Sequence, residues 1–403
     1  MVRFRGNLLE APASRRAKGL SLAVTAVALL RGADAAPALA DEPGELPACT
    51  PAAIEQLKDA RGDTGWQGAA VPGAEVERLP DGGRSYTYKV GTIEVEQAVP
   101  PRGFDPLAAS DAELAEYQYP ERPDQPEALA AWEHLVGDAK YPVAPGGCRG
   151  GGASAGPVAN AEADTPLGAT NAPLFGTDGV RNEVWKNGIW SGFVDEAQGH
   201  PSHFASISGE YHAPNGFADP CPAGWVSSWV GLGGVYSSHF MQAGTWIHNT
   251  GEMNSWWEIY GGNNEHYAVQ NWNISLKPGD LVQDAVGYAP FQGGSMLFWV
   301  VNHRSGWFLH EELHNVAGFY NGSTAEFIDE RPSSEGQPLN LRRFSPVNWE
   351  NGRVVNAVTG ESEPISGPER TRAVMRNAFG ETLAEPSLLT GSGSFTDTWR
   401  RCS

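Results

Sequence analysis

Three sets of residues in this chain have types and spacings that could do chemistry. In Phe240-Met-Gln-Ala-Gly-Thr-Trp246 a period of two puts Gln242 on one face with Phe240, Gly244 and Trp246, a neutral amide set among aromatic walls. In Ala325-Glu-Phe-Ile-Asp-Glu330 the same period sends Glu326, Ile328 and Glu330 to one face, and Trp256, Glu258 and Tyr260 share a face in the same way. A carboxylate can take a proton from water and later return it, and an amide N–H can stabilise a developing oxyanion. Taken singly, each Gln or Glu also fits the solvent side of an amphipathic strand. Pattern alone leaves both readings open.

The second set is His310-Glu-Glu-Leu-His314, which fits the zinc peptidase pattern in which two histidines one helical turn apart bind metal beside a basic Glu311. That pattern needs a helix, whereas Trp299-Val-Val-Asn302 before it is β-like and Gly318 and Asn321-Gly322 follow closely. The third is Gly152-Ala-Ser-Ala-Gly156, a match to a serine nucleophile elbow lying inside a Gly-rich run where the required strand and helix are missing from the pattern. Exposed Trp256, Trp257 and Tyr260 would suit a sugar-stacking sandwich, with Glu258 and Glu330 as a glycosidase-like pair.

The elements that must position these groups are short strands. From about residue 180 aromatic and small residues alternate, Gly and Asn punctuate every eight to twelve residues or so, and no long helical period is present. An all-β fold, an antiparallel β-sandwich, is expected over 180–403, with strands including 229–232, 240–246, 256–260, 295–301 and 325–330. Residues 41–150 read as a small mixed α/β region: strands within 85–95, a capping box Ser110-x-x-Glu113 opening a helix that stops near Tyr117, and a helix over 126–136. Residues 151–179 have the composition of a flexible linker.

Residues 1–40 have the parts of an export signal: Arg3, Arg5, Arg15, Arg16 and Lys18, an apolar run from Leu20 to Leu30, and small residues ending Ala38-Leu-Ala40. Arg31 ends the run well short of the roughly 20 apolar residues that cross a bilayer. Cleavage after Ala40 leaves 22 basic and 46 acidic side chains, a net charge of −24. A nucleic-acid partner is therefore not expected, nor is a membrane partner, and export from the cell is. Cys49, Cys148, Cys221 and Cys402 are an even set in an exported chain, so disulfides are expected. Of the three connectivities, Cys49 with Cys148 and Cys221 with Cys402 keeps each bridge within one region.

The segments Trp190-Ser-Gly-Phe-Val194, Ser228-Trp-Val-Gly-Leu-Gly-Gly234, Met241-Gln-Ala-Gly244, Ser255-Trp-Trp-Glu258, Pro278-Gly-Asp280 and Ala325-Glu-Phe-Ile-Asp-Glu-Arg-Pro332 stand in the order and spacing of eqolisins, the glutamic peptidases. The closing Gly393-Ser-Phe-Thr-Asp-Thr-Trp399 extends the resemblance to the C-terminus, and Phe104-Asp-Pro-Leu-Ala-Ala-Ser-Asp111 is similar to segments preceding the catalytic domain of bacterial-type members. The resemblance implies a jelly-roll or concanavalin-like sandwich and an endopeptidase, a secreted monomer acting on protein or peptide substrates without a cofactor. Gln242 matches the family's catalytic Gln and Glu330, the second Glu of its motif, the catalytic Glu. It also implies that Trp229 and Glu258 line the substrate cleft, and that Gln242 and Glu330 lie on a concave face with their tips close enough to share a water. Glu326 is the rival for Glu330. Gly233 and Trp246 stand where fungal members carry Asp, so fewer acids are expected around the site. Activity is expected to fall at the acid end as Glu330 is protonated, near the reference carboxyl pKa of about 4.3 unless neighbours shift it. Residues 41–150 are expected to act as a propeptide or lid.

Overall fold

The computed structural model of the protein describes residues 44–150 and 184–402 apart from short breaks. The export segment, the linker and the Gly152–Gly156 motif lie outside the described residues.

Strands dominate, nearly all antiparallel, and they form two layers. The first layer runs, edge to edge, through Cys148–Gly150, His266–Asn271, Met253–Tyr260, Phe240–Ile247, Val226–Gly233, Thr324–Glu330, Trp190–Glu196 and Arg370–Arg376. The second runs through Val347–Asn356, Phe204–His212, Leu281–Ala289, Ser295–Asn302, Trp307–His314, Ile93–Val99 and Arg84–Val90. Thr382–Pro386 and Phe395–Trp399 carry the ladder from one layer to the other.

Alternation along each strand decides which residues fill the space between layers. Val230, Leu232, Met241, Ala243, Trp257, Ile259 and Phe327 point inward from the first layer onto Tyr211, Val282, Val286, Phe298 and Val300 of the second. Trp257 stacks on Phe298 with ring centroids 5.3 Å apart, and the Tyr211 hydroxyl crosses the gap to Ser228 O at 3.2 Å and Asp284 Oδ2 at 2.8 Å. Each large side chain buried this way contributes on the order of 2–3 kcal/mol. Both disulfides expected from the cysteine pattern are present, Cys49–Cys148 and Cys221–Cys402.

The N-terminal region is built as its local signals require. Ser110 caps the helix Asp111–Glu116 through a reciprocal box with Glu113, and Pro126 opens the helix Pro126–Asp138, two residues longer than its pattern indicated. A helix over Pro51–Asp59, capped by Thr50, was not anticipated: its apolar side is only Ile54 and Leu57, half-buried against Cys49, Cys148 and Trp272, too short a stripe to stand out in the sequence. The region is woven into the sandwich. Glu94–Glu96 pair with Glu312–His314 at the edge of the second layer, and Cys148–Gly150 pair with Ala268–Gln270 at the edge of the first. Leu114, Tyr117, Trp132, Leu135 and Val136 pack onto Leu297, Trp299, Val301 and Phe308, the outward side of the second layer. The outward side of the first layer carries Gln242 and Glu330, so the packed N-terminal helices lie on the opposite side of the molecule.

Candidate active site

Directly paired residues of an antiparallel ladder share a face. Gly231 pairs with Gln242 and with Glu326; Trp229 with Gly244 and Ile328; Ser227 with Trp246 and Glu330; and Gln242 in turn with Glu258. All therefore project from the outward side of the first layer, where Trp190, Val194, Trp229, Phe240, Trp246, Trp256, Tyr260 and Ile328 form a second apolar cluster. Gly244 has a specific task here: a Cβ at that position would meet Trp229 Cβ at 2.5 Å, so only glycine lets the indole lie down beside it.

Trp229 is fully buried and its indole N–H donates to Glu330 Oε2 at 2.7 Å. Trp190, paired with Glu330 across the next strand, meets Trp229 edge-on at 5.2 Å. The Gln242 amide N–H donates to Glu258 Oε2 at 2.7 Å, while Glu258 Oε1 accepts from Tyr260 at 2.8 Å and lies 2.6 Å from His266 Nε2. Gln242 Oε1 is buried without a partner. One of the two amide hydrogens of Gln242 is taken by Glu258, and the other remains for an incoming oxygen. Sequence reasoning missed Trp190, Tyr260 and His266. The signal existed for Tyr260, two residues from Glu258 on the same face; for His266 it lay only in the register of its strand against Met253–Tyr260.

Burial pushes the Glu330 carboxyl up to about 8, with the charge of Glu258 adding to the rise and hydrogen bonds from Trp229 and Trp190 opposing it. The acid limb expected near 4.3 is thus displaced upward, because a reference value describes a carboxyl in water. Burial likewise holds Glu326 well above the usual range, with Asp195 and Glu196 adding to the effect.

Gln242 and Glu330 share the expected face, but their tips are not brought together on one water as expected: Glu330 is held by Trp229 and Gln242 by Glu258. The residue in line with Gln242 across Gly231 is the rival Glu326, and Glu330 lies four residues further along, roughly 13 Å of strand. Glu326 is completely buried, with neither carboxylate oxygen accepting a hydrogen bond, whereas Glu330 retains 5% exposure and an oriented oxygen.

His310-Glu-Glu-Leu-His314 forms part of the strand Trp307–His314. Four residues along a strand separate the two histidines by roughly 13 Å, too far to share an ion, and Glu311 faces the opposite side. His310 Nε2 is 2.8 Å from Ala98 O and its ring stacks on Trp299, while Glu311 accepts from Tyr88 and Trp257 between the layers. The geometry rejects the zinc peptidase reading. A His310→Ala variant is expected to melt at lower temperature through its cavity yet keep its turnover per folded molecule; paired melting and digestion assays check this. The sugar-stacking reading also fails in its premise, since Trp257 is buried between the layers and Trp256 and Tyr260 are buried in the aromatic cluster.

A buried carboxyl and a buried amide thus lie on the aromatic outer face of an antiparallel sandwich. The model of the peptidase A4 family matches residues 188–388, the segment that contains every residue of this site. The chain belongs to that family, the glutamic peptidases or eqolisins, and is a peptidase. Similar solved structures include scytalido-glutamic peptidase with a peptide-based transition-state analogue (18% identity, 53% of this chain and 98% of that chain covered, TM-score 0.43). SCP-B, an eqolisin solved with the tripeptide Ala-Ile-His, matches with the same identity, coverage and TM-score. No curated protein matches the chain.

Proposed function

We propose that Gln242 and Glu330, the carboxyl that the family motif matches, form the catalytic pair of a secreted endopeptidase, with Glu326, which the register sets in line with Gln242, as the alternative base. The observation that carries this reading is a buried carboxyl oriented by a tryptophan N–H on the same face as a buried amide with one hydrogen to spare. Glu330 in its carboxylate form takes a proton from water as the water oxygen bonds to the peptide carbonyl carbon. The carbonyl π electrons move onto oxygen, which accepts a hydrogen bond from Gln242 Nε2–H. Collapse of the tetrahedral species breaks the C–N bond, and Glu330 returns the proton to the departing nitrogen. Trp229 and Glu258 are positioning residues: Trp229 holds Glu330 and Glu258 holds Gln242.

Export through residues 1–40 fits the two disulfides and the acidic surface, and no helix among the described residues is long and apolar enough to cross a membrane. Residues 41–150 pack the helices Asp111–Glu116 and Pro126–Asp138 onto the second layer and share buried core with the sandwich, which favours their retention over removal as a propeptide. N-terminal sequencing of active material from culture medium decides this: a species beginning after the linker and lacking residues 41–150 would overturn retention.

Purified protein is expected to digest an unfolded protein with no response to chelator or to inhibitors built for paired aspartates. The Glu258→Gln variant tests the site directly. Removing the like charge lets the Glu330 pKa fall from about 8, so the acid limb of kcat/KM should move to lower pH. A limb that stays in place or moves upward would assign it to another group.

A further inference from the structure

On the side of the molecule away from the peptidase site, the helix Pro126–Asp138 brings His134 and Asp138, one turn apart, against His303 of the turn that follows Ser295–Asn302. One ligand atom from each of the three lies within 4.8 Å of the others. His303 Nδ1 is 3.1 Å from Asp138 Oδ2, His134 Nδ1 is 3.6 Å from the same oxygen, and His134 Nε2 is 3.7 Å from Glu210 Oε2. The two imidazoles are parallel with centroids 4.4 Å apart.

The surroundings are organised beyond what a surface ion pair needs. His303 Nε2 is 3.0 Å from Gln283 Oε1, an acceptor, so in the neutral tautomer that donates there Nδ1 is the bare nitrogen facing Asp138. A lone pair then faces a carboxylate lone pair, a repulsive contact unless a cation or a shared proton lies between. Fixing the far nitrogen of a histidine by a buried amide is how metal-bound imidazoles are oriented. The side chains of His303 and Glu210 are each 4% exposed, and Asn351 Nδ2 donates to Glu210 Oε2 at 3.0 Å, so this half of the cluster is anchored. His134, at 41% exposure on the helix surface, is the member able to turn toward a shared ion.

We propose that His134, Asp138 and His303, with Glu210 behind them, hold a divalent transition-metal ion that staples the N-terminal helix to the second layer of the sandwich. Two imidazole nitrogens with carboxylate oxygens suit zinc, nickel or copper and disfavour calcium or magnesium, which take oxygen ligands. The partly open side leaves room for a water as a further ligand. Because the ligands come from the N-terminal helix and from the sandwich, binding would stabilise their docking and raise the melting temperature.

The test uses full-length mature protein, freed of metal by chelator and desalting, titrated with zinc at neutral pH by calorimetry and by thermal melting. Saturable one-to-one binding and a raised melting temperature are expected, with calcium giving neither. His134→Ala and Asp138→Asn, both on the accessible side, should each weaken zinc binding by roughly tenfold or more and abolish the shift while turnover per folded molecule stays unchanged. Absence of saturable binding, equal zinc binding in the two variants and the parent protein, or an equal response to calcium would overturn the proposal. A shared proton alone would leave the melting temperature indifferent to zinc, and would overturn it equally.

Discussion

Replacing Glu330 by Gln is expected to remove nearly all peptide hydrolysis from a protein that remains folded. The substituted side chain keeps an oxygen for the Trp229 N–H, so the aromatic face stays packed, but an amide cannot take a proton from water. A positioned base is worth roughly a hundred- to ten-thousandfold in rate. Gln242→Ala should cost about a hundredfold or more in kcat by removing the oxyanion donor, with a smaller effect on KM. Glu326→Gln is the discriminating control, because Glu326 is the acid in line with Gln242. Loss of turnover in Glu326→Gln with retention in Glu330→Gln would transfer the base to Glu326. Digestion of an unfolded substrate, normalised to the folded fraction from the melting curve, separates the outcomes.

Stability is expected to fall as pH rises from mildly acidic to slightly alkaline, the reverse of ordinary acid denaturation. Several carboxyls are buried away from counter-charge. Burial raises Glu311 to about 7 and Asp397 to about 6, and it holds Asp284, Asp329 and Glu326 well above the carboxylate range, with the neighbouring Asp397 adding to Asp329. The sign follows from proton counting. Between an unfolded pKa of about 4 and these folded values, the folded chain holds protons that the unfolded chain has released. The stabilisation is complete below pH about 4 and is lost as pH climbs through about 6 to 8. At about 1.4 kcal/mol per pKa unit, Glu311 alone contributes on the order of 3 kcal/mol across that window. Denaturant titrations should show an unfolding free energy that falls above pH about 6.5, where His248 and His310, lowered to about 4 by burial, no longer offset the acids, and Glu311→Gln should flatten the profile between about pH 4.5 and 7. A flat or rising profile above pH about 6.5 in the parent protein would contradict the neutral, buried state of these acids.

The two expectations rest on the same physical fact, that a carboxyl among tryptophans is costly to ionise. At Glu330 the cost tunes a reacting group beside two indole donors. At Glu311, between Tyr88 and Trp257, it ties the N-terminal hairpin to the core of the sandwich.

Much of this was present in the sequence by itself. Alternation with a period of two specified the strands carrying Gln242, Glu258 and Glu330 and the face each would take, since side-chain direction along a strand is a local property. The capping box at Ser110 and Glu113, Pro126 at a helix start, and the even count of cysteines were local or compositional signals, and the structure follows them. The ordered eqolisin motifs identified the peptidase class. Other features depended on partners distant in the chain. That Glu326 lines up with Gln242 is a property of register across Gly231, and no single strand encodes register. That His310 and His314 belong to a strand was settled by pairing with Ser295–Asn302 on one side and Ile93–Val99 on the other, which overrides a helical motif. The upward displacement of Glu330 came from burial and from Glu258, seventy-two positions away in sequence and on the same face. The convergence of His134, Asp138 and His303 joins a helix of the N-terminal region to a turn of the sandwich. Spacing along a chain determines which groups can lie together on one element; docking between elements, driven by burial of apolar surface, determines which groups meet and how much water is left to solvate their charges.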